Sequence, residues 1–288
     1  MQFSIIIPTY QRNDLLALCL QRLQPGAQTL EANLYEVIVT DDAADPATQQ
    51  LLHSQFPWAT YTAGPQRGPA ANRNHGASLA RGQWLVFTDD DCLPDANWLQ
   101  AYANAIAQHP NTKAFEGAIL PDDWVLLKKD MAECPVNTEG GCFWSANIMV
   151  CKDLFFNLGG FDESFPIAAM EDKDIYKRIK NFTDVLFLSS SVVIHPVRFV
   201  LLRYKLKRLV KDIESWFYYE SKQNSIFKMY FKGMKFHLHA LFMNLFRRKF
   251  KHCIYNVITL IILLPIVIYL KVKNILFNKK FNWLSNNH

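Results

Sequence analysis

Residues 68–92 read GPAANRNHGASLARGQWLVFTDDDC. The first half has helical spacing and a glycine stop at Gly82, after which Trp84–Thr88 is an apolar, β-prone run. That strand delivers three successive carboxylates, Asp89, Asp90 and Asp91. Adjacent carboxylates repel one another, so a purely structural role would be costly. Along an extended chain, alternation puts Asp89 and Asp91 on one side and Asp90 on the other. Two oxygen donors on one side suit a hard cation, Mn²⁺ or Mg²⁺, able to bridge a diphosphate. The plain alternative is a solvated acidic loop, with Asp95 and Asn97 capping a helix that begins near Trp98.

Upstream, Ser4–Ile7 is a β-branched run stopped by Pro8, and NDLLALCLQRL (13–23) has helical spacing. Glu36–Thr40 forms a second strand ending in Asp41-Asp42, and residues 59–63 form a short third. Strands alternating with helices predict an α/β fold with a mostly parallel sheet, whose ligands bind beyond the strands' carboxyl ends. Both Asp clusters fall at such ends. The chain has no GxGxxG, P-loop or GxSxG pattern, which removes the main support for dinucleotide, kinase and serine-nucleophile chemistry. Its six cysteines form no CxxC pair and read as free thiols, and the first residues lack a secretory-signal pattern.

The net charge of +5 conceals a division. Residues 1–197 hold 13 Lys+Arg and 23 Asp+Glu, whereas residues 198–288 hold 18 and 3. The basic part interleaves 13 aromatics with Lys and Arg over 198–252 and contains no proline. Leu202, Leu206, Leu209, Ile213, Trp216 and Phe217 recur at helical steps, predicting an apolar stripe beside a basic face. Residues 253–270 then carry no charge. Without a nucleic-acid-binding motif, this texture fits an anionic membrane surface better than a single-stranded nucleic acid. Eighteen residues span ~27 Å, just short of an apolar bilayer core of ~30 Å. Pro265 would also break a backbone bond that lipid cannot replace. A monotopic or re-entrant anchor is therefore the preferred reading, and a single C-terminal span the second.

Four motifs stand in order: SIIIPTYQR, EVIVTDDAAD, the 68–92 stretch, and NIMVCKDLFFNLGGFDESFPIAAMEDKDIYKRI. Together they resemble family-2 inverting glycosyltransferases of the GT-A fold, over about residues 3–197. The resemblance implies a nucleotide-sugar-binding half (1–119) and an acceptor half (120–197), followed by basic aromatic helices (198–252) and a hydrophobic segment with a basic tail (253–288). It implies donor contacts from Pro8, Thr9, Tyr10, Arg12, Asp41, Asp42, Arg73, Asp89 and Asp90. Tyr10 and Asp41 would meet the base, Asp42 the ribose, Arg12 a phosphate, and Arg73 a phosphate or the base. Metal ligation would fall to Asp91 with Asp89 and His195, catalysis as a base to Asp172, and acceptor contacts to Glu171 and Trp144. Each has a plainer counterpart: Trp144 as a core side chain, the arginines as partners of surface acids, and His195 as a structural histidine.

The implied function is transfer of a sugar from a nucleotide-sugar, with UDP the family's usual nucleotide, to a saccharide or lipid-linked acceptor. Bacterial surface-polysaccharide or lipopolysaccharide assembly at the cytoplasmic face of the inner membrane would be the setting. Two alternatives stay open: a nucleotide-sugar hydrolase or nucleotidyltransferase, and a non-catalytic membrane-bound sugar-nucleotide-binding protein. The stretch LPDDWVLLKKDMAECPVNTEGG (120–141) matches no pattern, so specificity is expected to reside there.

Overall fold

The computed structural model describes residues 1–165, 167–222 and 226–285, with side chains left out at 226–232, 264, 267 and 270–285. The chain divides into two compact units, residues 1–127 with 134–197 and residues 128–133 with 198–288. In the first unit the elements run β1 (Phe3–Thr9), α1 (Asn13–Leu23), β2 (Tyr35–Asp41), α2 (Pro46–Gln55), β3 (Thr60–Ala63), α3 (Pro69–Ser78), β4 (Trp84–Phe87), β5 (Leu93–Pro94), α4 (Trp98–Gln108) and β6 (Ala114–Pro121). The two-residue β7 (Ala132–Glu133) lies in the second unit, and the first resumes with β8 (Ile148–Cys151), α5 (Lys152–Asn157), α6 (Glu171–Ile179) and β9 (Val185–His195).

One sheet of order β3-β2-β1-β4-β8-β6-β9-β5 organises the first unit. β3, β2, β1 and β4 run parallel, β8 is antiparallel to both β4 and β6, and β6 runs parallel to β9. Alternation along β1 sends Ile5 and Ile7 into a core beneath α1, α2 and α4, and Ile6 into a second core beneath α3, α5 and α6. Both faces of the sheet are thus covered, which is why its strands read as unbroken apolar runs. β1 continues through Pro8, where the sequence predicts a stop. β4 pairs with β1 only over Phe3–Ile6, so the N–H that Pro8 lacks has no neighbour waiting for it.

Asn147 joins the sheet to α4. It accepts from Trp98 Nε1 (2.8 Å) and Tyr102 Oη (2.7 Å) and donates to the carbonyls of Ala118 and Ser191. The β6–β9 register shifts between Gly117 and Ala118, where a Cβ on Gly117 would stand 2.3 Å from Asn147 Nδ2. Only glycine admits the amide there.

The second unit contains β10 (Arg198–Phe199), paired antiparallel with β7, then α7 (Leu202–Ser221), α8 (Ile226–Phe246) and α9 (Phe250–Ser285). Leu209, Ile213 and Phe217 of the expected α7 stripe are buried with Leu263 of α9, and Leu206 and Trp216 flank them. α9 passes through Pro265 without ending. Among the described residues no helix is long and apolar enough to cross a membrane. Within the expected charge-free run, the side chains of Leu264, Val267 and Leu270 lie outside the description, as do those of the basic tail up to Ser285, and residues 286–288 lie outside it altogether.

Candidate active site

The three parallel strands at the centre of the first unit end side by side, and their following loops build the site. β4 ends at Phe87, and residues after it turn, with the Cys92 N–H donating to the Asp89 carbonyl at 3.1 Å. The alternation expected for an extended triplet therefore does not extend to it. Asp89 faces Arg73, while Asp90 and Asp91 both face Arg12.

Arg12 Nε donates to Asp90 Oδ2 (3.1 Å) and Nη1 to Asp91 Oδ2 (3.0 Å). Thr9 Oγ1, at the end of β1, donates to the same Asp90 oxygen at 2.7 Å. Asp90 is wholly buried, and burial pushes its carboxyl up to about 7 against the pull of Arg12 and Thr9. Tyr10, by contrast, is exposed, and Pro8 is buried in the strand. A groove of about 490 Å³ beside this loop is lined by Gln11, Arg12, Asn13, Asp14, Leu15 and Asp45.

Each residue of the Asn72-Arg73-Asn74 run on α3 docks a different element. Asn72 donates to the Thr40 carbonyl at the end of β2, and Asn74 exchanges two hydrogen bonds with the Phe161 backbone. Arg73 lies between them, buried, with Nη2 2.7 Å from Asp89 Oδ1 and Nη1 3.6 Å from Glu171 Oε1. Burial disfavours its charge, yet Asp89, Asp172 and Glu171 together raise its pKa above the usual guanidinium value. In return Arg73 holds Asp89 below its ordinary value although burial alone would raise it. One guanidinium thus ties together two acidic clusters about eighty residues apart in sequence.

Glu171 and Asp172 open α6, following Met170 in a left-handed conformation (φ 76°). Burial pushes both carboxyls up, against Arg73. Ser145 lies beside Asp172, and its backbone N–H and hydroxyl pull that carboxyl's pKa back down. Asp172 Oδ1 is buried with no hydrogen-bond partner among the described residues. A buried carboxylate with an unengaged oxygen and a raised pKa has the character a general base requires.

At the end of β9, His195 Nε2 lies 3.6 Å from Asp91 Oδ1, and Nδ1 faces the Pro196 carbonyl at 3.0 Å. Asp91, Cys92 and His195 bring possible ligand atoms within 4.8 Å of one another. Carboxylate oxygen suits the hard cations Mn²⁺ or Mg²⁺, with imidazole beside it, whereas a soft cysteine sulfur suits them poorly, and burial and the neighbouring acids push the Cys92 thiol up. The residues present therefore fit a divalent cation at Asp91 and His195. Asp89, expected on the metal beside Asp91, lies outside that group and accepts from Arg73.

Asp41 and Asp42 take separate parts. Asp41 is wholly buried and spends both oxygens on its own turn, accepting from the N–H groups of Ala43 (3.0 Å) and Asp45 (2.8 Å). Asp42 accepts from the Gly68 N–H (2.7 Å), and its buried Oδ1 has no hydrogen-bond partner among the described residues. Trp144 is partly buried against the α1–α4 core.

Glu116 was not singled out by sequence. Buried in β6, it accepts from the backbone N–H groups of Gly141, Cys142 and Phe143 and from Asn137 Nδ2. Phe143 stacks on Tyr176 of α6 (centroids 5.2 Å apart), and Ser145 reaches Asp172 two residues later. Glu116 thereby fixes the loop that braces α6. Its signals were a lone carboxylate inside the apolar run AFEGAIL (114–120) and the later Gly140-Gly141 pair.

Residues 4–117 match the sequence pattern described as "Glycosyl transferase family 2". Over those residues the chain is similar to that family. The matched stretch holds Asp41, Asp42, Arg73 and the Asp triplet, and it ends before Glu171, Asp172 and His195. A "GalNAc(5)-diNAcBac-PP-undecaprenol beta-1,3-glucosyltransferase" of Campylobacter jejuni is 22% identical over 61% of this chain and 62% of its own length. The chain spans between 15% and 62% of the length of the curated relatives it matches. Among solved structures, S. aureus TarS 1–349 in complex with UDP is similar at a TM-score of 0.56, with 19% identity over 75% of this chain and 66% of that one. A mannosyltransferase from Pyrobaculum calidifontis in complex with GDP-Man and Mn²⁺ gives 0.54, with 20% identity over 75% of this chain and 63% of that one. These likenesses show the GT-A fold, a large mostly parallel sheet flanked by helices, in the α/β class expected from sequence.

Proposed function

We propose that the chain is a metal-dependent, inverting glycosyltransferase that moves a sugar from a nucleotide-sugar to a saccharide or lipid-linked acceptor. The observation that carries this is Arg73, which draws Asp89 at the end of β4 and Glu171 at the head of α6 to one place. Donor and base chemistry are thereby drawn together. Asp172, with Oδ1 unengaged and its pKa raised, takes the proton from the acceptor hydroxyl as that oxygen bonds to the anomeric carbon. The bond from that carbon to the nucleoside diphosphate breaks from the opposite side, and the diphosphate leaves with the electron pair. When bound at Asp91 and His195, Mn²⁺ or Mg²⁺ supplies positive charge against which the diphosphate departs. Arg12 and Arg73 contribute fixed positive charge beside it, Asp42 offers a free oxygen to the ribose, and Tyr10 an exposed ring to the base.

UDP in the TarS complex and Mn²⁺ in the mannosyltransferase complex support the donor and cofactor classes. The undecaprenol-linked substrate named for the Campylobacter relative supports a lipid-linked acceptor in bacterial surface-polysaccharide assembly. The basic residues of 198–288 would then hold the protein at the cytoplasmic face of the inner membrane. A panel of nucleotide-sugars offered with Mn²⁺ to the purified full chain, with and without lipid-linked acceptors, tests the proposal. Acceptor-dependent consumption of one donor is expected. Release of free sugar at the same rate without acceptor would favour a hydrolase instead.

A further inference from the structure

Helix α9 is apolar on the outside. Its inward positions over the described stretch are Cys253, Asn256, Thr259 and Leu263, all buried. Asn256 Oδ1 pairs with His237 of α8 at 2.8 Å, and Thr259 donates to the Tyr255 carbonyl. Its outward positions are Phe250, Ile254, Val257, Ile261 and Ile268, with Ile261 68% exposed. Those spacings of four, three, four and seven residues lie on one face of a helix. α8 continues the pattern with exposed Leu238, Phe242, Leu245 and Phe246, the last 83% exposed. A helix in water carries its apolar stripe inward and its polar residues outward. Here hydrogen-bonding side chains sit inside and branched aliphatics and phenylalanines outside. A contiguous apolar face of this length is unlike the scattered exposed leucines of ordinary surfaces.

The charges around that face name its partner. Arg247, Arg248 and Lys251 are exposed where α8 meets α9, and Arg203, Lys207 and Lys211 line the outer side of α7. No acidic residue occurs after Glu220. Phospholipid acyl chains bordered by anionic head groups match both features: apolar residues enter the hydrocarbon boundary and the basic side chains reach phosphates. A second copy of this chain matches only the apolar half, since two such surfaces would bring like charges together. Among the described residues no helix is long and apolar enough to cross a bilayer.

We infer that the α8–α9 pair inserts its Phe242–Phe246–Phe250 corner and the Ile254–Ile261 face of α9 into one leaflet of an anionic bilayer. This deepens the membrane association included in the proposed function, replacing a purely electrostatic contact with insertion of defined side chains. The test is co-sedimentation of the full chain with vesicles of phosphatidylcholine alone or mixed with phosphatidylglycerol. It compares wild type with a variant carrying Phe246→Ser, Ile254→Ser and Ile261→Ser together, changes confined to exposed positions.

Wild type is expected to prefer the anionic vesicles and to stay partly bound in about 0.5 M salt, where charge attraction is screened. The triple variant should partition about tenfold more weakly or worse, from lost apolar burial. As a second reading independent of that variant, Phe246→Trp should add fluorescence that acyl-brominated lipids quench beyond the wild-type level. Equal partitioning of variant and wild type, or no added quenching, would overturn insertion while leaving charge-based association standing. Absence of wild-type binding to any vesicle would remove the membrane reading as well. A lipid-free wild-type dimer that the triple variant converts to monomer would assign the face to a second copy instead.

Discussion

Two arginines govern the acidic residues at the centre of the first unit. Arg12 neutralises Asp90 and Asp91, and Arg73 neutralises Asp89 and reaches Glu171. These pairs offset part of the repulsion among three consecutive buried or part-buried carboxylates, although burial still pushes Asp90 up to about 7. Because Asp91 and His195 are the ligand pair the geometry offers, Asp91→Ala should abolish the Mn²⁺-dependent part of thermal stabilisation by UDP. Differential scanning fluorimetry with UDP, with and without Mn²⁺, reads this, and an unchanged Mn²⁺-dependent shift in the variant would refute the ligand assignment. The residue types were legible because carboxylates at strand ends stand out in an apolar sequence. Their partners were not. Pairing of Asp89 with Arg73 rather than with Asp91 depends on where β4 stops and on how α3 lies against it, and neither is encoded in local spacing.

Two elements depend on single buried acids. The backbone N–H groups of Gly141, Cys142 and Phe143 converge on Glu116, and Gly140 and Gly141 adopt φ of 84° and 85° to let them do so. Glu116→Gln turns an amide N–H₂ toward those donors, so loop 140–145 should loosen its hold on Asp172. The expected outcome is a fall of roughly tenfold or more in kcat with little change in nucleotide affinity, since Glu116 touches no donor-side residue. A matching loss of nucleotide affinity would mean the residue supports the whole unit instead.

Glu36 offers a pH test. Although burial raises its pKa, Ser4 Oγ, the Arg81 N–H and the Arg81 guanidinium lower it below the usual value on balance. A carboxyl depressed on folding contributes stability above its unfolded pKa and loses it as pH falls through the folded one. Glu36→Gln should therefore cost about 1–3 kcal/mol near neutral pH, with the gap to wild type narrowing in acid. Urea denaturation at several pH values measures it, and a gap that widens in acid would contradict the account.

α1 was legible to the residue, its apolar period being unbroken, and β1 and β2 were placed by their β-branched runs. Pro8 was read as a stop and is not, and Pro265, read as breaking a backbone bond, lies inside a continuous helix. Pro8 sits where β1 has lost its neighbour β4, and α9 accommodates Pro265 along its length.

At the scale of the whole chain, the charge asymmetry marked where composition changes, yet the second unit also includes residues 128–133 from the middle of the sequence. β7 pairs with β10, Asp130 pairs with His252 at 2.6 Å, and Glu133 pairs with Lys205. No local pattern announces this, because LLKKDMAE (126–133) gains these partners from residues 65 or more positions away. A chain ending at Val197 should consequently be cut by protease within 128–133, a segment the full chain protects. Limited proteolysis with mass mapping decides this, and equal resistance in both would contradict the assignment of that segment.

The central claim is that acids at residues 89–91 and 171–172 serve one cleft, the first set for the donor and Asp172 for the proton. Its most direct measurement is nucleotide affinity and single-turnover transfer in Asp172→Asn beside wild type. The account predicts unchanged UDP affinity with transfer slowed by about 10²–10⁴-fold. Full transfer activity in Asp172→Asn would contradict it.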